Sequence, residues 1–333
     1  MKLLIVTQVV DENHPILGFF HRWIIEFAQN CEQVQVICLQ EGQHSLPSNV
    51  TVHSLGKEEG KGRLQYLIRF YKLIWQLRHE HEHVFVHMNQ IYVILGAPLW
   101  RLLGKRVKFW YMHGAKSWSL RLAAALAQVI YTGSRESFPL KSRKVVVTGH
   151  GIDTDHFLPR ESIKTTDLVT VGRITASKNL GLLIEAVAEL QSAYPVTLTI
   201  VGAPQTESER VYYEALQQSV SANHLENKII FKGKLIQRDL PNVLGSAKVF
   251  VTAATNGSLD KAVLEAMAVG LLVVSMAPGT ASLPLGSGQT NDKVGFVEEL
   301  KKVLESGVTF IPEYVAYVKA SHSLSALIPK LLA

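Results

Sequence analysis

A glycine, an arginine and a lysine stand close together in the segment Val171-Gly172-Arg173-Ile-Thr-Ala-Ser-Lys178-Asn179. Glycine lets a backbone approach a ligand, and the guanidinium of Arg173 has the fork geometry that suits phosphate oxygens. Lys178 adds a point charge five residues further on, where a helix-period apolar run begins. The spacing indicates a diphosphate-binding loop, although a solvated turn would also explain these residues.

A carboxylate in apolar surroundings occurs further along, in Asn256-Gly-Ser-Leu-Asp-Lys-Ala-Val-Leu-Glu265-Ala-Met-Ala-Val-Gly270. The small and polar residues at the start of this segment favour a tight turn and a helix N-cap, which would direct backbone N–H groups and the helix dipole toward an anion. Glu265 follows about one turn inside that helix, where a carboxylate can accept both hydroxyls of a ribose. A glutamate that caps the helix or stays solvated is the alternative.

Short β-branched runs alternate with longer amphipathic stretches along nearly the whole chain, a pattern typical of strand–helix units that build parallel sheets. The fold class is therefore α/β. Seven strands are predicted in the first half: Leu3–Thr7, Val34–Leu39, Val50–Ser54, Val84–His87, Val107–Tyr111, Val129–Thr132 and Lys144–Thr148. Five are predicted in the second: Leu168–Val171, Val196–Val201, Lys228–Phe231, Val249–Thr252 and Leu272–Ser275. Helices are predicted over Phe19–Gln29, Arg63–His79, Ile91–Leu103 and Leu120–Ala127.

The polar stretch His150–Thr166 contains a glycine and a proline and lacks sustained periodicity, so we place a domain boundary within it. The predicted domains are residues 1–160 and 161–310, followed by a C-terminal helix at 311–333 that packs back toward the first domain. Both halves share the same strand–helix pattern. We expect two Rossmann-like, doubly wound domains that face each other across a cleft, with ligands at the carboxyl ends of their strands.

Gly172-Arg173 with Lys178, followed by the Glu265-Ala-Met-Ala helix between two strands, resembles the donor-binding signature of the retaining GT-B glycosyltransferases, especially family 4, the glycosyl transferases group 1. The resemblance implies transfer of a sugar from a nucleoside-diphosphate sugar, UDP- or GDP-linked, with retained anomeric configuration. It implies no further cofactor and no obligatory metal. By position it assigns the diphosphate to Arg173 and Lys178, the ribose to Glu265, and the remaining donor contacts to Ser258, Leu259, Asp260, Gly172, Gly202, Leu235 and Gly18.

One departure from the family pattern concerns the transferred sugar. The family has two glutamates separated by seven residues, and Gly257 stands at the first of these positions. That first glutamate ordinarily contacts the sugar, so Asp260 or Asn256 would have to substitute for it. A catalytically weak nucleotide-sugar-binding or scaffolding protein on the same fold is therefore a second hypothesis.

Histidines follow two predicted strands of the first domain. His113 comes after Val107–Met112, and His87 precedes Asn89 at the end of another strand. The family has a histidine comparable to His113 near the acceptor and the reacting sugar, so we assign His113 to catalysis and His87 and Asn89 to the acceptor side. A buried structural histidine is the alternative for His113. His79, His81 and His83 alternate at a turn, where solvation explains them better than a metal site.

The segment from Lys61 to Arg78 is basic, aromatic and helix-periodic, with apolar residues on more of its circumference than one core contact requires. Such a helix could lie on an anionic membrane surface through Lys61, Arg63, Arg69, Lys72 and Arg78. Packing on the sheet and a neighbouring element is the alternative. Further positive charge in the same half comes from Arg101, Lys105, Arg106, Lys108, Lys141, Arg143 and Lys144. A glycan, a lipid-linked molecule or a small molecule is expected as acceptor.

Composition excludes several other classes. The 333 residues are 47% hydrophobic and 19% charged with a net charge of +6, which fits a globular protein with anionic ligands. Cys31 and Cys38 have no zinc-ligand spacing and are expected as reduced core residues. No GxGxxG follows a strand and no nucleic-acid-binding module is present. The first residues suit a buried strand better than a signal peptide, so we expect a cytoplasmic protein, peripheral on the inner face of the membrane if the basic helix binds lipid.

Overall fold

The computed structural model describes residues 1–14, 16–160, 162–191 and 193–333. These residues form two compact units, each built around its own parallel sheet. The first unit comprises residues Met1–Asp153 and His322–Ala333, and the second comprises Thr154–Ser321. Glu161, where the predicted second domain begins, lies outside the described residues.

The first unit contains a seven-stranded parallel sheet, as the sequence predicts. Its strand order is β3-β2-β1-β4-β5-β6-β7. The strands are β1 Lys2–Val10, β2 Gln33–Glu41, β3 Val50–Ser54, β4 His83–His87, β5 Arg106–Trp110, β6 Val129–Thr132 and β7 Val145–Val147. The helices are α1 Phe19–Asn30, α2 Arg63–Gln76, α3 Gln90–Leu102 and α4 Trp118–Leu126.

Helices cover both faces of this sheet, which explains why its strands are nearly continuous apolar runs. Successive residues of β1 point to opposite sides. Leu4 and Val6 pack in one buried cluster with residues of α2, α3 and α4. Leu3 and Ile5 pack in a second cluster with α1 and with the C-terminal helix Leu324–Leu332.

The second unit has a five-stranded parallel sheet with the order β10-β9-β8-β11-β12. Its strands are β8 Thr166–Val171, β9 Leu198–Val201, β10 Ile229–Gly233, β11 Ala247–Thr252 and β12 Leu272–Ser275. The helices are α5 Leu180–Leu190, α6 Glu207–Ala222, α7 Leu240–Gly245, α8 Lys261–Ala268, α9 Lys293–Ser306 and α10 Pro312–Ser321; α11, the Leu324–Leu332 helix, completes the first unit.

Both sheets have the doubly wound arrangement. In each, the chain starts in the middle, runs to one edge and then returns to build the other side, so the direction reverses between β1 and β4 and between β8 and β11. In open α/β sheets, ligands bind outside the carboxyl ends of the strands at this reversal. The loops after β8 and β11 are therefore the first places to look for a site in the second unit.

Three of the lysines that add positive charge to the first half donate hydrogen bonds to backbone carbonyls. Lys108 is buried, and its Nζ donates to the carbonyls of Leu331 and Leu332 at 2.9 and 2.7 Å. Lys144 Nζ donates to three carbonyls at the end of α4, and Lys105 Nζ donates to the carbonyl of His81. Helix ends leave carbonyl groups that a lysine can satisfy, so the positive charge of these side chains lies beside backbone oxygens.

None of the helices in the described part of the chain has the length and apolar content that spanning a bilayer requires.

Candidate functional site

The loop after β8 and the loop after β9 meet through two glycines. Gly172 and Gly202 have φ values of +153° and +148°, which side chains rarely adopt. A Cβ atom added to Gly202 would lie 1.9 Å from the carbonyl oxygen of Gly172. A Cβ on Gly172 would lie 2.8 Å from Cε of Lys178. Position 202 must be glycine for the two loops to touch, and the positive φ favours glycine at position 172, beside the Lys178 side chain.

Lys178 ends a short 3-10 helix, Ala176–Lys178, and Asn179 follows in the left-handed conformation at φ +50°. The ammonium of Lys178 forms an ion pair with the carboxylate of Asp260. Burial, with a smaller effect from the positive charge of Arg173, lowers the pKa of Lys178 to about 8. The paired Asp260 carboxylate favours the charged ammonium. The backbone N–H of Thr255 also donates to the carbonyl of Ser177 at 2.8 Å. The predicted diphosphate loop is thereby joined to the loop after β11.

Arg173 is held by a carboxylate that sequence reasoning did not identify. Its Nε lies 3.3 Å from Oε1 of Glu209. The other oxygen of Glu209 accepts the N–H groups of Gln205 and Thr206 at the start of α6, at 2.7 and 3.3 Å. About half of the Arg173 side chain remains exposed. Glu209 therefore fixes the guanidinium in place, and its other N–H groups, which pair with no described residue, can donate to an anion.

The turn before α8 has the predicted N-cap. The carboxylate of Asp260 accepts the N–H of Ala262 at 3.4 Å while it also pairs with Lys178. Leu259 is buried and Ser258 is half-buried. A Cβ added to Gly279 would lie 2.3 Å from the carbonyl oxygen of Ser258, so the loop after β12 packs directly on this turn. The backbone that was predicted to bind phosphate is therefore held on one side by Lys178 and on the other by the loop after β12.

Glu265 lies in α8 with only 4% of its surface exposed. The side-chain amide of Gln237 donates to its Oε1 at 2.9 Å, and Lys261 Nζ lies 3.5 Å from the same oxygen. Gln237 belongs to the loop after β10, as does the half-buried Leu235. A buried carboxylate needs partners, and within the described part of the chain only Oε1 has one, so Oε2 can accept from further donors. The alternative of a solvated glutamate is excluded by this burial.

Gln237 could not be found from the sequence. It is 28 residues from Glu265 in the chain, and glutamine at a surface turn carries no functional signal of its own. The same holds for Glu209, which the sequence marks only as the third residue of a Thr206 capping box. Gly257 is exposed, and an added Cβ there would meet no atom within 4 Å.

The predicted residues of the first unit differ in exposure. His113 is exposed, and its Nδ1 accepts the N–H of Ala115 at 3.1 Å. His87 is buried: its ring stacks on Phe20 at a centroid distance of 3.8 Å, and Nδ1 lies 3.3 Å from Oγ1 of Thr7. The His113 ring therefore faces solvent, whereas the His87 ring is part of the aromatic core.

Asn89 caps a helix, and Gly18 directly precedes one. Asn89 Oδ1 accepts the N–H of Ile91 at 3.1 Å, which makes it the N-cap of α3. Gly18 precedes α1, and a Cβ there would lie 2.6 Å from the carbonyl oxygen of His14. Both lie in loops at the reversal between β1 and β4, where ligands of such sheets bind.

Among the described residues, no three or more His, Cys, Asp or Glu side chains are grouped so that they could hold a metal ion. Of the alternating histidines, His81 is buried and its Nδ1 lies 2.9 Å from the carbonyl oxygen of Leu77. Burial lowers the pKa of His81 to about 4. The ring is therefore neutral and has a structural role in the turn between α2 and β4.

Residues 165–310 match the protein-family model described as glycosyl transferases group 1. The match begins at β8 and ends just before α10, so it contains every residue of the site in the second unit. This part of the chain is a group 1 glycosyl transferase domain. The prediction from Gly172-Arg173, Lys178 and Glu265 is confirmed at the level of the family.

Two curated proteins resemble parts of the chain. Mannosylfructose-phosphate synthase of Agrobacterium fabrum is 26% identical over 149 residues, which are 40% of this chain and 33% of that protein. A phosphatidylinositol N-acetylglucosaminyltransferase subunit of Arabidopsis thaliana is 23% identical over 186 residues, 54% of this chain and 40% of that protein. The chain thus matches less than half the length of these relatives.

A solved structure resembles the chain over its whole length. HepE of Anabaena, in complex with UDP, superimposes with a TM-score of 0.78 at 18% identity, covering 100% of this chain and 98% of that one. The group 1 domain and the first unit therefore together have the GT-B fold, as predicted.

Proposed function

We propose that the protein is a retaining glycosyltransferase that moves a sugar from a UDP- or GDP-linked donor to an acceptor. One observation carries the proposal: the Lys178–Asp260 ion pair joins the cationic loop after β8 to the N-terminus of α8, the helix that carries the buried carboxylate of Glu265. A nucleoside diphosphate needs both a cationic site and a hydroxyl acceptor, and this domain supplies them on neighbouring loops. The relative HepE was solved with UDP and with UDP-glucose, which supports a nucleotide-sugar donor.

Each part of the nucleotide-sugar donor has a proposed binding residue. Arg173 and Lys178 bind the diphosphate and stabilise the negative charge that develops as it leaves, an electrostatic role that requires no covalent intermediate. Glu265 accepts the ribose hydroxyls. The backbone at Ser258, Leu259 and Asp260 borders the phosphates, and Gly172, Gly202 and Leu235 line the nucleotide. Because two cations carry the charge, we propose a reaction that needs no metal and no cofactor beyond the donor.

For the first unit we propose an acceptor role. His113 is the catalytic candidate there, since its ring is exposed at the end of the segment after β5. His87 and Asn89 lie at the sheet reversal and would contribute to the acceptor side through the loops that they hold, whereas Gly18 is proposed for the donor. The proposed acceptor is a glycan, a lipid-linked molecule or a small molecule, and the proposed location is the cytoplasm, at the inner face of a membrane.

The test is release of nucleoside diphosphate from a panel of UDP- and GDP-sugars with mixed acceptors. We expect turnover by the wild-type protein and a loss of about 100-fold or more for Arg173→Ala and for Lys178→Ala, because each removes charge stabilisation of the leaving group. Arg210→Ala is the matched control, since Arg210 is an exposed arginine on α6 that pairs only with Glu207 among the described residues. Full activity of both site variants would contradict the proposal.

A catalytically weak nucleotide-sugar-binding protein is the second candidate, and the observation that favours it is the glycine at position 257. The surroundings of Gly257 leave room for a larger side chain. Binding of a nucleotide without turnover of any donor, followed by turnover in Gly257→Glu, would favour this candidate over the first.

A further inference from the structure

Helix α2 carries two separate apolar faces. Phe70 and Ile74 are buried in the core of the first unit, and Tyr66 and Leu73 pack against the same cluster. A second set of large apolar side chains points away from that core. Leu64 is 70% exposed, Ile68 61%, Tyr71 38% and Trp75 54%.

The exposed residues form one line. Their spacing of four, three and four residues puts them on the same side of the helix, over nearly its full length. An isolated exposed apolar residue is ordinary on a protein surface, but a contiguous row bordered by polar groups indicates a contact surface. The sequence predicts surplus apolar residues on this helix, and the structure shows which of them the core leaves uncovered: Leu64, Ile68, Tyr71 and Trp75, called here the outer stripe.

The charged residues of α2 itself are all of one sign. Helix α2 contains Arg63, Arg69 and Lys72 and no aspartate or glutamate. Arg63 and Lys72 are exposed and form no ion pair with any described residue. Arg69 and Lys61 both pair with Glu59, just before the helix. The Cζ of Arg78 lies 4.4 Å from the centroid of the Trp75 ring, which places a further cation at the end of the stripe.

We propose that the outer stripe of α2 is a docking surface for an anionic lipid bilayer. The helix would lie parallel to the membrane, with Leu64, Ile68 and Trp75 inserted among the acyl chains. Arg63 and Lys72 would meet the anionic headgroups. An amphipathic helix with cations beside an apolar row that includes tryptophan has the composition of interfacial helices. This surface does not depend on the proposed enzymatic activity.

A second copy of the chain suits this surface less well. A twofold contact of α2 with itself would bring arginine and lysine together with no carboxylate on either helix, and like charges at an interface oppose association. The stripe is also a single row of residues, whereas a stable protein interface usually buries about 800 Å² on each partner. Anionic lipid complements both the charge and the narrow apolar row.

The experiment is flotation of the full chain with phosphatidylcholine vesicles, with and without phosphatidylglycerol. The test variant is Leu64→Gln/Ile68→Gln/Trp75→Gln. The matched control is Val211→Gln/Ile230→Gln/Val294→Gln, which removes three apolar side chains of similar exposure, 60%, 52% and 67%, from the second unit. Lys72→Gln tests the charge. Thermal unfolding of each variant shows whether it remains folded.

We expect the wild type and the control to float with anionic vesicles and not with pure phosphatidylcholine. The stripe variant should lose at least tenfold in partitioning with an unchanged melting temperature, and Lys72→Gln should lose about fivefold. Equal flotation of the stripe variant and the wild type, or equal binding to both vesicle types, would overturn the proposal. A concentration-dependent dimer that the stripe variant abolishes would also overturn it, in favour of a second copy as occupant. None of these results depends on sugar transfer.

Discussion

Glu265 and Lys178 illustrate how this domain keeps charged groups inside its site. Each is largely removed from water, and each is held by one neighbour on another loop, Gln237 for the glutamate and Asp260 for the lysine. Glu265 also lies 3.5 Å from Lys261 of its own helix. A buried charge whose partners leave lone pairs or protons unpaired retains capacity for a ligand. We therefore propose that the two residues bind polar groups of opposite character.

The ribose assignment predicts a specific loss in Glu265→Gln. The amide preserves the size of the side chain but removes the charge, so we expect nucleoside diphosphate affinity to fall about 10- to 100-fold. Calorimetry with UDP, GDP and their 2′-deoxy analogues measures this. The wild type should bind the deoxy analogues more weakly, and the variant should discriminate much less. If the wild type and Glu265→Gln show the same affinity ratio between the nucleotides and their 2′-deoxy analogues, Glu265 does not contact the ribose.

The lowered pKa of Lys178 predicts a pH dependence of binding. A diphosphate binds the protonated ammonium of Lys178, and in the free protein this ammonium has a pKa of about 8. Affinity should therefore be constant on the acid side of this value and fall toward about tenfold per pH unit on the alkaline side. Calorimetry from about pH 7 to about pH 9 measures the effect.

Lys178→Arg is the control for this pH effect, because a guanidinium stays charged throughout the range. Its affinity should vary less with pH than that of the wild type. If the affinity of both proteins falls in parallel as the pH rises, the titrating group is the nucleotide or another residue and not Lys178.

At the scale of the elements, glycines set how closely the strand-end loops approach. Gly202→Ala should destabilise the protein by about 3 kcal/mol or more, since its Cβ would collide with the Gly172 carbonyl and its φ is positive. Gly257→Ala is the matched control, because an added Cβ there meets nothing. We expect it to stay within about 0.5 kcal/mol of the wild type. Urea unfolding measures both, and equal stability of the two variants would contradict this account of the loops.

The strands were predictable and most side-chain pairings were not. All twelve strands were predicted near their observed positions, because in a parallel sheet covered on both faces each strand must be a short β-branched run. Lys178 and Glu265 were also identifiable, since they lie just after strands in informative segments. Gln237, the partner of Glu265, and Glu209, the partner of Arg173, were not, because each meets its partner only through the fold. The roles of Lys108 and Lys144 were missed for the same reason.

For the whole molecule, the net charge of +6 is a poor guide to where anions bind. In the first unit, Lys105, Lys108 and Lys144 are used by backbone carbonyls. In the second, Arg173 and Lys178 are paired with carboxylates yet border the loops at the sheet reversal. Local geometry therefore decides which cations are available to bind an anion. It favours the group 1 domain as the site of the proposed nucleotide and the outer stripe of α2 as the site of the proposed lipid contact.

The central claim is that the group 1 domain binds a nucleoside diphosphate through Lys178 and its neighbours. Calorimetric titration of UDP and GDP into the wild type, Lys178→Ala and Arg210→Ala tests it most directly. We predict that at least one nucleotide binds the wild type and Arg210→Ala with equal affinity, and that Lys178→Ala binds it at least about tenfold more weakly. Failure of both nucleotides to bind the wild type, or unchanged affinity in Lys178→Ala, would contradict the claim.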